Sequence, residues 1–530
     1  MPSARLRIVF TTAAIAVLVL SGARGRGQAP SPQSGIVVDY SAPPAIDRGL
    51  APDVSRSPDS PETTRRRTLR VEGAPSERMG ASGARYLAGR VIVKFKDGVS
   101  AAAKAAALAA GAASASTRPS YADFDIISID ASADAEAAAR ALAARPDVEY
   151  AQASYRVRTQ FTPNDTFYAR QWNLPDIDME RAWDIQPQAG SAITVAVVDT
   201  GIAYTNVTMR YRARAFRVSG ASYPALGDLT LPFVAATELG DSSRFVKPHD
   251  FIWDTDLPLD LDGHGTHVSG TIGQLTNNST GTAGVAFNVK LMPVKVIDTE
   301  WDSIFGAPHE GTDDTVARGV RYAADNGANV INMSIGRDGP PAPVVEDAVK
   351  YAVGKGAFVA IAAGNGFEDG NPLQAIADIA SRVKGAVAVG AIDRAHNRSY
   401  FSSTGAYVEL AAPGGSFRGF GAEGGILQQT LDLNLVDTFE LPPAAFRAPR
   451  FDALAYFYFI GTSQSTAHVS GLAAMLVQQG VTDPAAVEAA LERFAIDPAT
   501  RKPRGKVRDN EFGFGEISAR DTLRGLGLAK

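Results

Sequence analysis

From Ile193 to Ala411 the sequence alternates continuous apolar runs with stretches of helical spacing. Ile193–Asp199, Leu291–Ile297, Ala328–Ser334, Ala357–Ala363, Ala386–Ile392 and Tyr407–Ala411 read as strands. Asp313–Asn326 and Val344–Val353 read as helices, and Gly327 suits the end of the first. Uninterrupted apolar runs belong to strands buried on both faces, and alternation with helices makes those strands parallel. The predicted class is α/β, a doubly wound parallel sheet with helices on both faces. In such a sheet the chemistry gathers at the carboxyl ends of the strands.

The first part of the chain is organised differently. Arg5 and Arg7 precede an apolar run from Ile8 to Leu20, and Ser21, Gly22 and Ala23 follow. Residues 1–27 therefore read as a signal peptide, too short in its apolar part for a membrane span; a retained anchor is the alternative. Residues 28–85 are rich in Pro, Ser, Arg and Gly, and predict a flexible linker. Between 86 and 160 a small α+β unit is predicted. Its strands are Val91–Phe95, Phe124–Ile129 and one starting at Val148–Tyr150; its helices are Ser100–Ala110 and Ala133–Ala144. The order fits a ferredoxin-like βαββαβ unit in which one strand has no readable signal. Thr162–Pro163–Asn164–Asp165 breaks the pattern, so the main domain spans 161–530.

Composition removes several classes of function. The 530 residues carry 52 Lys and Arg against 57 Asp and Glu, a net charge of −5, which argues against nucleic acid as a partner. With no cysteine, disulfides, thiolate metal sites and cysteine nucleophiles are excluded.

Three segments carry chemistry. Val195–Ala196–Val197–Val198–Asp199–Thr200–Gly201 is a buried strand ending in a carboxylate. Asp262–Gly263–His264–Gly265–Thr266–His267–Val268–Ser269–Gly270 puts an imidazole at the opening of a helix. A metal reading of its two histidines finds no third ligand motif nearby. Gly461–Thr462–Ser463–Gln464–Ser465–Thr466–Ala467–His468 puts a serine at a helix N-terminus, where the local field favours a developing negative charge. A serine hydroxyl needs a base, His264 supplies one, and Asp199 would fix its tautomer. Ala362–Ala363–Gly364–Asn365 ends a strand and offers the Asn365 amide to an oxyanion, with the Ser463 N–H as second donor.

Together these segments resemble the subtilisin-like serine proteases, the subtilase family, over roughly residues 160 to 525, and in the same Asp, His, Ser order. Asn332–Met333–Ser334–Ile335–Gly336 resembles that family's substrate-binding strand, and Arg508–Asp509–Asn510–Glu511–Phe512–Gly513–Phe514–Gly515 its closing segment. Arg90–Val157 resembles an inhibitory propeptide. The resemblance implies a secreted serine endopeptidase, extracellular or periplasmic, acting as a monomer on polypeptides and made as a self-processed zymogen. Its own propeptide would be the intramolecular inhibitor. By carry-over Asp199 orients, His264 is base and acid, Ser463 is nucleophile and Asn365 stabilises the oxyanion. Ser334, Ile335, Gly336, Ala362, Ala363 and Gly364 would line the substrate cleft; small and apolar as they are, they point to large apolar or aromatic residues at the cleavage position. Two other readings stay open: a catalytically silent binding protein on the same fold, and an esterase of another hydrolase fold, although the second Gly of its Gly-x-Ser-x-Gly elbow is missing.

Calcium is the implied cofactor. Leu275–Gly284 resembles the calcium loop of thermitase-type members, with carbonyls of Leu275, Thr280 and Thr282, the Asn278 side chain and the Asp165 carboxylate as ligands. The site's second carboxylate would fall near Thr208, where no Asp stands; a residue of the insertion could substitute. The run Asp250, Asp254, Asp256, Asp260, Asp262 is either a second ion site or a solvated loop. The chain also departs from the family pattern in having Gln464, Ser465 and Ala467 where Met, Ala and Pro are usual. Without a thioether beside the nucleophile, activity should survive peroxide. Two insertions, about 210–246 and 419–456, are surface additions of open role. His267 and His468 read as packed, hydrogen-bonded residues.

Overall fold

The chain divides between Thr159 and Gln160 into two units. The computed structural model describes residues 77–79, 85–111, 113–155, 161–218, 220–505 and 507–525. The segment read as a signal peptide, and nearly all of the linker, lie outside the described residues.

In the first unit a long strand, Arg85–Phe95, pairs antiparallel with Asp125–Ser128 on one side and Val148–Tyr155 on the other. The helices are Ala101–Ala110 and Ala135–Ala143, capped by Ser100 and Asp134 side chains. Val91, Val93, Ile127, Leu142 and Val148 form the core. The strand without a sequence signal is Ala115–Thr117; all three residues are exposed, so nothing in their pattern announces it. The linker expectation needs one correction. Glu77–Met79, inside 28–85, pairs with Arg85–Leu87, because an edge strand is held by backbone bonds and needs no apolar pattern.

The second unit is built on seven parallel strands: β1 (Thr194–Asp199), β2 (His249–Asp250), β3 (Lys290–Lys295), β4 (Val330–Met333), β5 (Phe358–Ala362), β6 (Ala386–Ile392) and β7 (Val408–Pro413). Their spatial order is β2-β3-β1-β4-β5-β6-β7. Val195 and Val197 join one core and Ala196 and Val198 the other, so alternate residues of β1 feed opposite faces. The covering helices include α1 (His264–Gly273), α2 (Asp313–Asp325), α3 (Pro343–Gly354), α4 (Thr462–Gln478) and α5 (Pro484–Arg493). From β1 the chain fills one side of the sheet, then returns to lay β4 against the other side. The carboxyl ends of β1 and β4 thus flank the switch point, where a parallel sheet opens a crevice.

The insertions are antiparallel ribbons. Val207–Ala213 pairs with Gly227–Phe233, and Ile426–Leu431 with Leu454–Phe459. They pack on one another: the Phe233 and Phe451 rings stack at 4.7 Å, and Phe446 meets Phe216 and Tyr223 edge-on. Two members of the acidic run, Asp250 and Asp260, are buried, whereas Asp254 and Asp256 are exposed. Asp250 accepts from Ile252 N and Trp253 N, and Asp260 from Gly263 N and Thr266 N.

Candidate active site

Asp199 ends β1 fully buried, and its Oδ1 lies 2.7 Å from His264 Nδ1. The Thr200 N–H also donates to Oδ1, at 2.8 Å. His264 is fixed from its backbone outwards. Asp260, itself buried, holds the first turn of α1 through Gly263 N and Thr266, and Thr200 Oγ1 bridges Asp260 to Gly265 N. Gly265 is required: a methyl group there would lie 2.1 Å from the Gly201 carbonyl oxygen. Burial works to lower the His264 pKa, but the charge and hydrogen bond of Asp199, with Asp262 and Asp260 behind, raise it to about 9.

Ser463 is the second residue of α4, which packs on β4, β5 and β6 and against α1. Its Oγ donates to the Ser334 carbonyl at 3.1 Å, and Ser334 Oγ donates back to the Ser463 carbonyl at 2.8 Å. The structure therefore brings Asp199 onto His264 but turns the Ser463 hydroxyl towards the chain leaving β4. Asn365 has its side-chain carbonyl occupied: Oδ1 accepts from Thr462 N and Thr462 Oγ1, both at 3.0 Å. That fixes the amide orientation and leaves Nδ2 as a donor beside Ser463.

Among the cleft residues, Ile335 and Ala363 turn their side chains into the core, so only their backbone is left for a peptide. Gly336 and Gly364 present no side chain. Gln464, which breaks the sequence pattern, finds its partner in the structure: its amide nitrogen lies 3.5 Å from His267 Nδ1. His267 Nε2 meets the Ile426 and Phe457 carbonyls, and burial drives its pKa down to about 3. His468 is equally buried, bonded to the Gln464 carbonyl and Asn173, and lowered to about 4.

Away from Ser463, Asp165 gathers the loop that follows α1. Its oxygens accept from Asn277 N at 2.7 Å and Asn278 N at 3.3 Å, and Asn278 Oδ1 accepts from Thr280 N. No carboxylate stands at position 208, which leaves the alternative of a residue from the insertion. Thr208 sits on the inserted ribbon, opposite Pro232. The insertion supplies a buried carboxylate beside this loop: Glu238, in the short turn Thr237–Leu239, whose own backbone carbonyl takes the Leu275 N–H at 2.8 Å. Glu238 is 3% exposed and its Oε2 has no hydrogen-bond partner. Burial pushes the pKa of both Asp165 and Glu238 up, and among the described residues neither has an ion-pair partner. Two buried carboxylates without an ion-pair partner, one of them with an unpartnered oxygen, fit a hard cation.

A parallel α/β sheet with an Asp–His pair at its switch point, and a serine at the N-terminus of a central helix, defines a serine endopeptidase. The chain belongs to the subtilase family, whose family model matches residues 190–515. The model of the fervidolysin N-terminal prodomain matches residues 73–154. The chain is 32% identical over 398 residues to a thermophilic serine proteinase of Bacillus sp. (strain AK1), covering 74% of this chain and 79% of that one. It is 30% identical over 336 residues to thermitase of Thermoactinomyces vulgaris, covering 63% and 92%. The solved structure of fervidolysin from Fervidobacterium pennivorans, described as a keratinolytic enzyme related to subtilisin, aligns at 21% identity with a TM-score of 0.48, over 83% of this chain and 61% of that one.

Proposed function

We propose that the chain is a secreted, self-processed zymogen whose mature form cleaves peptide bonds through Asp199, His264 and Ser463. The observation that carries this reading is the 2.7 Å Asp199–His264 hydrogen bond at the switch point of the sheet. An extended substrate pairs its backbone with Ser334–Gly336, and its N–H takes the Ser334 carbonyl that Ser463 Oγ occupies at rest. The freed hydroxyl turns to His264, which removes its proton as Oγ attacks the scissile carbonyl. Asn365 Nδ2 and the Ser463 N–H donate to the oxyanion. His264 hands its proton to the leaving amine, and the acyl-enzyme forms. A water deprotonated by His264 then releases the acid.

Residues 1–27 serve export, the linker ends before the Glu77–Met79 strand, the first unit from there on is the inhibitory propeptide, and 161–530 form the catalytic domain. No described helix is long and apolar enough to cross a membrane. Asp165, Asn278, Glu238 and the carbonyls of Leu275, Thr280 and Thr282 would hold a calcium ion, whose charge would neutralise the two buried carboxylates and pin the loop.

The test is the intact mass of the purified wild type beside Ser463→Ala. The wild type is expected to lose everything before about residue 160 while the variant keeps its propeptide, with the cut between Tyr155 and Pro163. If both stay full length and neither cleaves a denatured protein, the silent binding fold replaces this reading.

A further inference from the structure

Gly336 and Gly364 follow the carboxyl ends of adjacent strands, β4 and β5, and one side chain lies against both. A methyl group built on Gly364 would meet Gln374 Cγ at 2.4 Å and Oε1 at 2.8 Å. One built on Gly336 would meet Gln374 Oε1 at 3.6 Å. The Gln374 amide thus occupies the end of the slot that two glycines leave between the cleft walls, and it is only 7% exposed.

Its position is not the chance rotamer of a mobile loop. Gln374 forms an antiparallel bridge with Asp338, and the Ala375 N–H donates to the Arg337 carbonyl at 2.8 Å. The segment carrying it is therefore tied to the strand extension that would hold the substrate. Nε2 donates to the Pro372 carbonyl at 3.2 Å, which fixes the amide plane. Among the described residues Oε1 accepts no hydrogen bond, so that acceptor is left over on the glycine side.

We propose that Gln374 is the floor of the pocket for the side chain on the acyl side of the scissile bond, and that it restricts the protease to short side chains there, alanine and serine, at the expense of aromatic ones. The proposal rests on the protease reading above and deepens it. It also reverses the preference for large apolar residues that the small wall residues alone imply: two glycines make the slot wide, but Gln374 makes it shallow. An aromatic ring entering between Gly336 and Gly364 would have to displace the amide from its Pro372 bond. A short side chain stops above it, and a serine hydroxyl can donate to Oε1.

The test uses the mature enzyme and peptide p-nitroanilides that differ only in the final residue: Ala, Ser, Phe or Arg. Wild type should show a higher kcat/KM for Ala and Ser than for Phe. Gln374→Ala should raise the Phe to Ala ratio by about 10-fold or more, the scale on which pocket shape discriminates. Gln374→Glu keeps the volume and replaces the free acceptor by a carboxylate. It should leave Phe excluded while raising Arg over Ala, a change that a merely structural role for this residue would not produce. Wild type that cleaves after Phe as well as after Ala overturns the proposal, as does a Gln374→Glu enzyme with unchanged selectivity. If wild type hydrolyses none of the four and leaves denatured protein intact, the protease reading itself has failed.

Discussion

Lys295 Nζ lies 2.8 Å from Asp302 Oδ2, and neither side chain reaches solvent. The pair sits one strand from the Asp199 carboxylate, since Lys295 is the residue of β3 opposite Asp199. Asp302 is saturated by Thr299 N, Thr299 Oγ1 and Trp253 Nε1. Lys295 also donates to the Leu259 carbonyl, at 3.1 Å. Pro258 and Leu259 press on Gly201, where an added methyl group would lie 2.7 Å from Leu259 O, so the lysine braces the turn that follows Asp199.

Removing one member of such a pair leaves a buried charge without a partner. Lys295→Met should cost about 3–5 kcal/mol, and Lys295→Met with Asp302→Leu should recover much of it. Urea unfolding in the Ser463→Ala background, where autolysis cannot interfere, measures both. A single variant as stable as its parent would show that the pair contributes nothing.

With His264 as the proposed general base, its protonation should set the acid side of the activity profile. A general base must be unprotonated, and the Asp199, Asp262 and Asp260 carboxylates hold its pKa near 9 in spite of burial. At neutral pH most of the enzyme carries the imidazolium, so kcat/KM should climb with pH up to about 9 and fall about tenfold per unit below it. Asp262→Asn removes one of those carboxylates and should move the limb down by up to about one unit. The measurement is a kcat/KM profile from pH 5 to 10 on one peptide amide. A wild-type limb at the ordinary histidine value would refute the electrostatic account.

Much of this architecture is readable from the residues alone, for a physical reason. Strands buried on both faces must be apolar throughout, so β1, β4, β5 and β6 announce themselves to within a residue or two. Asp199, His264, Ser463 and Asn365 are legible because each stands in a local run whose glycines and small residues have a geometric purpose. Glu238 is not. An inserted ribbon separates it from Asp199, and counting forward lands on Thr208. Gln374 is equally silent: its role exists only because the chain reverses and bridges to Asp338. The partner of Gln464 is hidden in the same way, since His267 reaches it through the packing of α1 on α4.

Glu238 gives the calcium loop its own test. If an ion neutralises Asp165 and Glu238, then calcium at about 100 times its Kd stabilises the folded state by about 2.7 kcal/mol, and a chelator removes that gain. Thermal melts of the Ser463→Ala protein should rise with added calcium. Glu238→Gln should flatten that response while raising the stability of the calcium-free protein, because one buried charge has gone. Identical melts in calcium and chelator would leave the loop without an ion.

The last prediction concerns oxidation. Gln464 follows Ser463, is 1% exposed, and its amide faces His267, whose ring stacks on Phe459 at 4.1 Å. With His267 Nε2 donating to backbone carbonyls and its pKa pulled down by burial, Nδ1 carries a lone pair that the Gln464 amide can use. The position therefore has a polar partner but no thioether. Met179, Met292, Met333 and Met475 are all fully buried in the core, where peroxide reaches slowly. Wild type should keep most of its activity under peroxide, whereas Gln464→Met should lose about tenfold as the new thioether becomes a sulfoxide beside Ser463. Peptide mass mapping separates causes: loss of wild-type activity with every methionine unmodified would place the damage elsewhere and contradict the argument. A Gln464→Met enzyme that is oxidised at that position but remains active would show that the space beside Ser463 tolerates the added oxygen.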